Sequence, residues 1–267
     1  MDVNAIITAV LVIAILGLLL GLFLGFAAKA FHVESDPRED KITGVLPGNN
    51  CGGCGYPGCS GLAAAIVAGN APVNGCPVGG EAVAKKVAEI MGVEAGESVR
   101  LAAFVRCAGD CEMAGKDYEY HGVEDCRMAA MLPAGGEKSC SYGCLGYGSC
   151  VAACPFDAIH VVNGIAVVDR DACKACGKCV EACPKHLIEL IPADSVFAVA
   201  CSSKDKGPDV MKKCKVGCIG CGICKKNCEA EAIEVAEFLA HINQSKCVKC
   251  GSCAEKCPKK AIKKFEA

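Results

Sequence analysis

Cysteine recurs in this chain at fixed intervals, and that periodicity constrains the fold more than any other feature. Four segments share one pattern: Cys154-Pro155-Phe156-Asp157-Ala158-Ile159, Cys183-Pro184-Lys185-His186-Leu187-Ile188, Cys228-Glu229-Ala230-Glu231-Ala232-Ile233 and Cys257-Pro258-Lys259-Lys260-Ala261-Ile262. Cys183 follows Cys154 by 29 residues, and Cys257 follows Cys228 by 29. The second pair repeats the first 74 residues later. Repetition this regular implies two duplicated units.

The chain holds 25 cysteines in 267 residues. Disulfides, zinc and iron–sulfur clusters are the three chemistries that use so many. Disulfides suit small secreted scaffolds, and an odd count leaves one unpaired. Zinc knuckles often recruit histidine, but none of the five histidines lies between the cysteines of a C-x2-C-x2-C-x3-C run. Runs of four cysteines ending in C-x3-C-P are the pattern of iron–sulfur ligation. With no tryptophan and only 5% aromatic residues, a large aromatic core is not expected. Inorganic clusters acting as the cores of small modules fit better.

In a two-cluster module, three cysteines of one run join the last cysteine of the other. The distal unit then pairs Cys218, Cys221 and Cys224 with Cys257, and Cys247, Cys250 and Cys253 with Cys228. Glu229 replaces the proline found after the other terminal cysteines, a change expected to touch the turn but not the ligand. In the proximal unit Cys173, Cys176 and Cys179 join Cys154. The remaining proximal run is irregular, because Tyr147 stands where the distal unit has Cys221. Cys140, the counterpart of the extra Cys214, is therefore expected to complete a site with Cys144, Cys150 and Cys183.

A separate group precedes these units: Cys51, Cys54, Cys59 and Cys76, spaced C-x2-C-x4-C-x16-C. Its glycines let backbone wrap closely around a cluster. Ser60 is expected to cap a short helix whose positive N-terminus faces the anionic site. These five sites take twenty cysteines and leave Cys107, Cys111, Cys126, Cys201 and Cys214. A sixth site is expected from Cys107, Cys111 and Cys126 with Cys201 or Cys214, Cys201 being preferred. Both Cys107 and Cys201 end β-like runs, RLAAFVRC and SVFAVAC. These runs are expected to be neighbouring strands of a small domain.

The N-terminal stretch carries no charge from Val3 to Ala28, enough for one helix across a bilayer of about 30 Å. Ala28-Lys29-Ala30 resembles a signal-peptidase site, but no basic segment precedes the apolar run. No twin-arginine pair is present to export a folded cluster protein. Asp2 precedes the span, while Lys29, Arg38 and Lys41 come after it. The positive-inside rule places the cysteine-rich remainder of the chain on the cytoplasmic side of the inner membrane. Gly17, Gly21 and Gly25 recur on one face, where they suit either a partner helix or an ordinary membrane helix.

No dinucleotide or phosphate-binding glycine motif is present. The segment Lys204–Lys264 holds fourteen lysines against seven acidic residues, while the whole chain is −2. A basic distal unit would steer an acidic electron carrier. Nucleic acid is not expected, because no aromatic residues interleave with the lysines.

The order of anchor, four-cysteine domain and ferredoxin modules resembles the B subunit of the Rnf membrane complex, in a long form with two ferredoxin modules. The four-cysteine stretch is also similar to a domain of the corrinoid iron–sulfur protein, which lacks the anchor and modules. The resemblance implies a subunit of an ion-translocating ferredoxin:NAD+ oxidoreductase with no nicotinamide or flavin site of its own. It also implies soluble ferredoxin and the other Rnf membrane subunits as partners. The competing reading is a membrane-tethered polyferredoxin serving a hydrogenase or carbon monoxide dehydrogenase. A third is a structural zinc protein.

The expected fold is α+β: a single N-terminal transmembrane helix, a small four-cysteine [4Fe-4S] domain and two tandem two-cluster ferredoxin-like modules. Six [4Fe-4S] clusters are expected. The expected boundaries are 1–30 for the anchor, 31–46 for a linker and 47–98 for the four-cysteine domain. Residues 99–135 with 193–212 form a small cluster-binding domain, and 136–192 and 213–267 form the modules.

Overall fold

The computed structural model describes residues 3–30, 36–96 and 99–265. Asp2, residues 31–35 of the expected linker, residues 97–98 and the last two residues lie outside the described set. Helix α1 (Val3–Ala30) arises from a largely apolar run whose only charge is Lys29 in the last turn. Its segment Val10–Ala27 is long and apolar enough to cross a membrane, and none of it is buried by the rest of the protein.

Three helices make the next unit. Helix α2 (Pro37–Val45) starts on Asp36, whose carboxylate accepts from the Arg38 amide at 2.8 Å, with proline in the first turn. Both features favour a helix start. Helix α3 (Gly58–Val67) and α4 (Gly80–Met91) come next, α4 ending on the left-handed Gly92. Ile42, Leu62, Ile66 and Val87 are almost fully buried together. Each such side chain contributes roughly 1.5–3 kcal/mol by leaving water. This core draws only on the unit's own residues.

The rest of the chain is one motif built twice. The first copy contains β1 (Leu101–Val105), α5 (Cys126–Ala130), α6 (Ser149–Ala152), β2 (Ile159–Val162), β3 (Ile165–Val168), α7 (Lys178–Ala182) and β4 (Ile188–Pro192). The second contains β5 (Phe197–Val199), α8 (Gly207–Lys213), α9 (Ile223–Lys226), β6 (Ile233–Ala236), β7 (Leu239–Ile242), α10 (Ser252–Glu255) and β8 (Ile262–Lys264). All the sheets are antiparallel pairs. β2 pairs β3 with Ile159 opposite Val168, and β6 pairs β7 with Ile233 opposite Ile242, so the register repeats with the sequence.

The outer pairs depart from expectation. β1 and β5 do not pair with each other. β1 pairs β4, with Val105 opposite Ile188, and β5 pairs β8, with Val199 opposite Ile262. Each outer strand thus pairs with the last strand of its own module, and in both halves a valine meets the buried isoleucine that comes five residues after the terminal cysteine. The two halves meet beyond these strands. The Ala108 amide donates to the Ala200 carbonyl at 3.0 Å, and the Ser202 hydroxyl donates to the Arg106 carbonyl at 3.1 Å. Phe104, Ile191, Ala198 and Ala200 form a core across the seam. Phe265 packs edge-on against Phe104 and under the Arg170 guanidinium. Truncating Phe104 to alanine would cost about 3–5 kcal/mol.

One turn recurs four times. The third residue after each terminal cysteine, Asp157, His186, Glu231 and Lys260, has φ between 48° and 50°. These are non-glycine residues in a region that costs energy, so the turn is held from outside. The next two residues are buried core in every copy: Ala158-Ile159, Leu187-Ile188, Ala232-Ile233 and Ala261-Ile262. Glu229 does not disturb its turn. The Glu231 amide still donates to the Cys228 carbonyl at 3.1 Å, as the His186 amide does to Cys183.

Candidate metal centres

The repeated turn aims backbone donors at thiols. The Leu187 amide donates to Cys183 Sγ at 3.5 Å, Ala232 to Cys228 Sγ at 3.4 Å and Ala261 to Cys257 Sγ at 3.4 Å. Such donors stabilise a thiolate and tune whatever it binds.

Four cavities are each lined by four cysteines. Cys218, Cys221, Cys224 and Cys257 share one. Cys154, Cys173, Cys176 and Cys179 share a second. Both groupings match the repeat pattern. Cys247 and Cys250 stand beside Cys253, and Cys228 packs into the same core. Near α3, Cys54 and Cys59 face Cys76, and Cys51 stands beside Cys176 of the proximal module.

Two groupings differ from expectation. Cys126, not Cys140, joins Cys144, Cys150 and Cys183 around one cavity. Cys140 instead lines a cavity with Cys107, Cys201 and Cys214. Both Cys201 and Cys214 take part, so the choice between them does not arise. Cys111 stands apart, exposed, with its sulfur against Gly164.

The physical reasons are local. Tyr147, standing where the distal module has Cys221, packs at 5.5 Å on Tyr120 and joins the small core of Cys126, Ala129 and Leu145. From Val105 to Cys140 the chain runs 35 residues, against 15 from Val199 to Cys214, and the extra length folds over the gap. Asp125 caps α5, accepting from the Arg127 and Met128 amides. Ser149, at the start of α6, accepts from the Cys126 amide at 2.9 Å and donates to Asp125 at 3.0 Å. These bonds deliver a substitute thiol to the position that Tyr147 vacates.

The other cavity is a product of the duplication. Cys140 and Cys214 are 74 residues apart and precede equivalent modules. Cys107 and Cys201 each lie two residues after an equivalent outer-strand valine, Val105 and Val199. Each half therefore contributes the same two thiols to a site on the seam between halves. Gly109 lies close to it: a Cβ there would stand 3.2 Å from Cys214 Sγ and 3.9 Å from Cys107 Sγ.

The donor set fits an anionic cluster with thiolate ligands. The four cavities are alike in size and in having four cysteines on their walls. Thiolates on a single zinc would all sit about 2.3 Å from it. Among the described residues no three cysteine, histidine or acidic side chains converge closely enough to hold one bare ion. Burial pushes the Cys150 thiol up to about 12, and those of Cys179, Cys201 and Cys253 up to about 11, with neighbouring thiols adding to the effect. Buried thiols of this kind give up their protons when a metal replaces them.

Each group also neighbours the next in a series. A Cβ on Gly53 would stand 2.6 Å from the Cys176 carbonyl oxygen, so the four-cysteine unit touches the proximal module backbone to backbone. The proximal module's two groups share one core. The Cys144 amide donates to Cys107 Sγ at 3.4 Å, linking the module to the seam site. Cys201 neighbours Cys218, and Cys253 neighbours Cys224.

Three family models match the chain: "Putative Fe-S cluster" over residues 46–78, "4Fe-4S dicluster domain" over 137–184 and "4Fe-4S binding domain" over 240–263. The chain is 47% identical over 244 residues to the B subunit of the ion-translocating oxidoreductase complex of Methanosarcina acetivorans, covering 91% of this chain and 92% of that protein. It is 49% identical to the B subunit of the Na(+)-translocating ferredoxin:NAD(+) oxidoreductase complex of Acetobacterium woodii, covering 91% and 73%. It is 46% identical to the B subunit of the proton-translocating ferredoxin:NAD(+) oxidoreductase complex of Clostridium ljungdahlii, covering 91% and 86%. The chain belongs to the Rnf B subunit family.

Within that family frame, two residues of the first group stand out. Ser60 does not cap α3, which starts at Gly58 without a side-chain cap. Asn50 does that work from outside, its Oδ1 accepting from the Cys59 amide at 2.8 Å. Its φ of 45° suits asparagine better than most residues. The Gly79 amide donates to Cys76 Sγ at 3.4 Å.

Proposed function

We propose that this Rnf B subunit holds six [4Fe-4S] clusters and relays electrons from reduced ferredoxin, through membrane partners, toward NAD+ reduction coupled to ion translocation. The observation that carries the proposal is the series of cysteine groups, each neighbouring the next. The ligand sets would be Cys51, Cys54, Cys59 and Cys76; Cys154, Cys173, Cys176 and Cys179; Cys126, Cys144, Cys150 and Cys183; Cys107, Cys140, Cys201 and Cys214; Cys218, Cys221, Cys224 and Cys257; and Cys228, Cys247, Cys250 and Cys253. Cys111 is the thiol left over.

Bound clusters supply one-electron storage at low potential. The protein supplies the thiolates, the amide donors and the exclusion of water. Leu187, Ala232 and Ala261 amides stabilise the charge on their cysteines. The lysines around the last group, including Lys225, Lys226, Lys249 and Lys256, would steer an acidic ferredoxin to that end. The first group, next to the anchor in sequence, would pass electrons to the membrane subunits from the cytoplasmic side. Relatives named as ferredoxin:NAD(+) oxidoreductase subunits favour this reading over a tether for another enzyme.

Reconstitution with reduced ferredoxin, followed by electron paramagnetic resonance, tests it. The proposal expects cluster signals and about 24 iron atoms per chain, six centres of four. No reduced cluster would contradict the role as acceptor, and zinc without iron would end the electron-transfer reading.

A further inference from the structure

Lys138 is 3% exposed, and no other lysine or arginine among the described residues is buried so deeply. Its ammonium donates to the Gly109 carbonyl at 2.8 Å and the Gly164 carbonyl at 3.1 Å. Among the described residues it has no ion-pair partner. Asp110 faces it, but the Asp110 carboxylate already accepts from the Glu112 and Met113 amides at 3.0 and 2.9 Å. Lys116 is turned to Glu137 at 2.9 Å. The facing Asp110 carboxylate, which makes no direct ion pair with Lys138, and two carbonyl dipoles compensate only in part for a buried cation, which is costly unless an anion is close.

The thiolate sites are the further anions within its reach. Lys138 reaches Gly109, the residue that closes over Cys107 and Cys214. Its stem passes Gly143, and its charge favours the ionised form of Cys144. Its ammonium is thus one carbonyl away from the seam site and within electrostatic reach of Cys144 in the next site, at the edge of the open cleft that holds Cys111. The second copy of the motif provides an internal comparison. The residue 74 positions on is also a lysine, Lys212, but its side chain is 76% exposed and turned to Asp209. The same residue type is a buried counter-charge in one half and a solvated surface group in the other.

We infer that Lys138 is a positioning charge that raises the reduction potentials of the two neighbouring centres. This rests on the cluster assignment proposed above. Reduction adds one electron, hence one negative charge, to a centre. A fixed positive charge in a medium of low dielectric stabilises the reduced state more than the oxidised one. No proton or bond change is involved. The middle of the series would thus be an electron well between the distal module and the four-cysteine unit.

The test is a potentiometric titration of the full chain, followed by electron paramagnetic resonance, with iron counted in parallel. Lys138→Met keeps the stem and removes the charge. It is expected to keep about 24 iron atoms and to lower at least one midpoint. The expected fall changes the reduced-to-oxidised ratio tenfold at fixed potential, ~59 mV for one electron. Lys138→Arg should restore the midpoint, and Lys212→Met should move none. Unchanged midpoints in Lys138→Met with full iron would overturn the inference. If Lys138→Met loses iron, the neutral Lys138→Gln is titrated in its place, with the same lowered midpoint expected and an unchanged midpoint overturning the inference. Loss of iron from Lys138→Gln as well, or from Lys138→Arg, overturns it, since assembly of the centres would then be at stake. A parent chain without about 24 iron atoms would instead refute the cluster assignment.

Discussion

The proximal and distal modules share one register, one turn and one spacing, yet they reach four thiols per cavity by different routes. The distal module uses its own run, Cys218, Cys221 and Cys224, with Cys257. The proximal module has Tyr147 in place of the middle cysteine and borrows Cys126 from a loop outside the run. The difference shows that the thiol count of a cavity can be kept while its source changes. What keeps it is packing: the tyrosine that removes a thiol forms part of the core that delivers the replacement.

The likeness of the two modules can be broken most severely at the seam. Cys140→Ser and Cys214→Ser should have the same effect, because the two thiols occupy equivalent places in one cavity. Each should cost one centre, leaving about 20 iron atoms of about 24. An effect in only one of them would contradict the shared site. The next largest effect is a rescue. Cys126→Ser alone should cost the proximal centre, and adding Tyr147→Cys should restore it by rebuilding the distal pattern. Iron analysis of the two variants is sufficient, and failure of the second thiol to restore iron would count against the proximal grouping.

A smaller effect concerns the junction with the four-cysteine unit. Gly53 needs no unusual φ, so a side chain there is opposed chiefly by the Cys176 backbone. Gly53→Leu should leave iron intact and slow reduction of the first centre by ferredoxin, read by rapid freezing and spin resonance. Unchanged kinetics would mean that this contact does not carry the path.

Acidity gives a fourth test on the cluster-free chain. The thiols of Cys150, Cys179, Cys201 and Cys253 are raised from an ordinary 9.0 to between about 11 and about 12. Their burial as neutral groups therefore stabilises the fold below about pH 9. That contribution should be lost as pH rises through about 11, seen as a falling unfolding midpoint. The smallest effect is Glu229→Pro. The turn already matches its proline-bearing copies, so the substitution should stabilise by about 0.4–1 kcal/mol in denaturant titration.

Much of this was legible in the sequence because cluster ligation is written in short intervals. The 29- and 74-residue periods correspond to matching sheet registers, and the apolar run of α1 is a helix. The groupings that escaped depend on contacts across long separations. Cys126 reaches its cavity through Ser149, Asp125 and Tyr120, none of which carries a motif. The extra Cys214 could be aligned with Cys140, but alignment alone suggested that Cys140 filled the gap at Tyr147. Equivalence of the two thiols pointed instead to a common use, and that required knowing that Cys107 and Cys201 come after equivalent strands. The pairing of β1 with β4 and β5 with β8 was hidden for the same reason, since a β-like run does not name its partner.

The central claim is that duplication creates a site shared equally by both halves, with one thiol, Cys111, outside every site. Iron and acid-labile sulfide per chain, measured side by side in Cys111→Ser and Cys214→Ser, test it most directly. The account predicts about 24 iron atoms in the first and about 20 in the second. The reverse result, loss at Cys111 and none at Cys214, would contradict it.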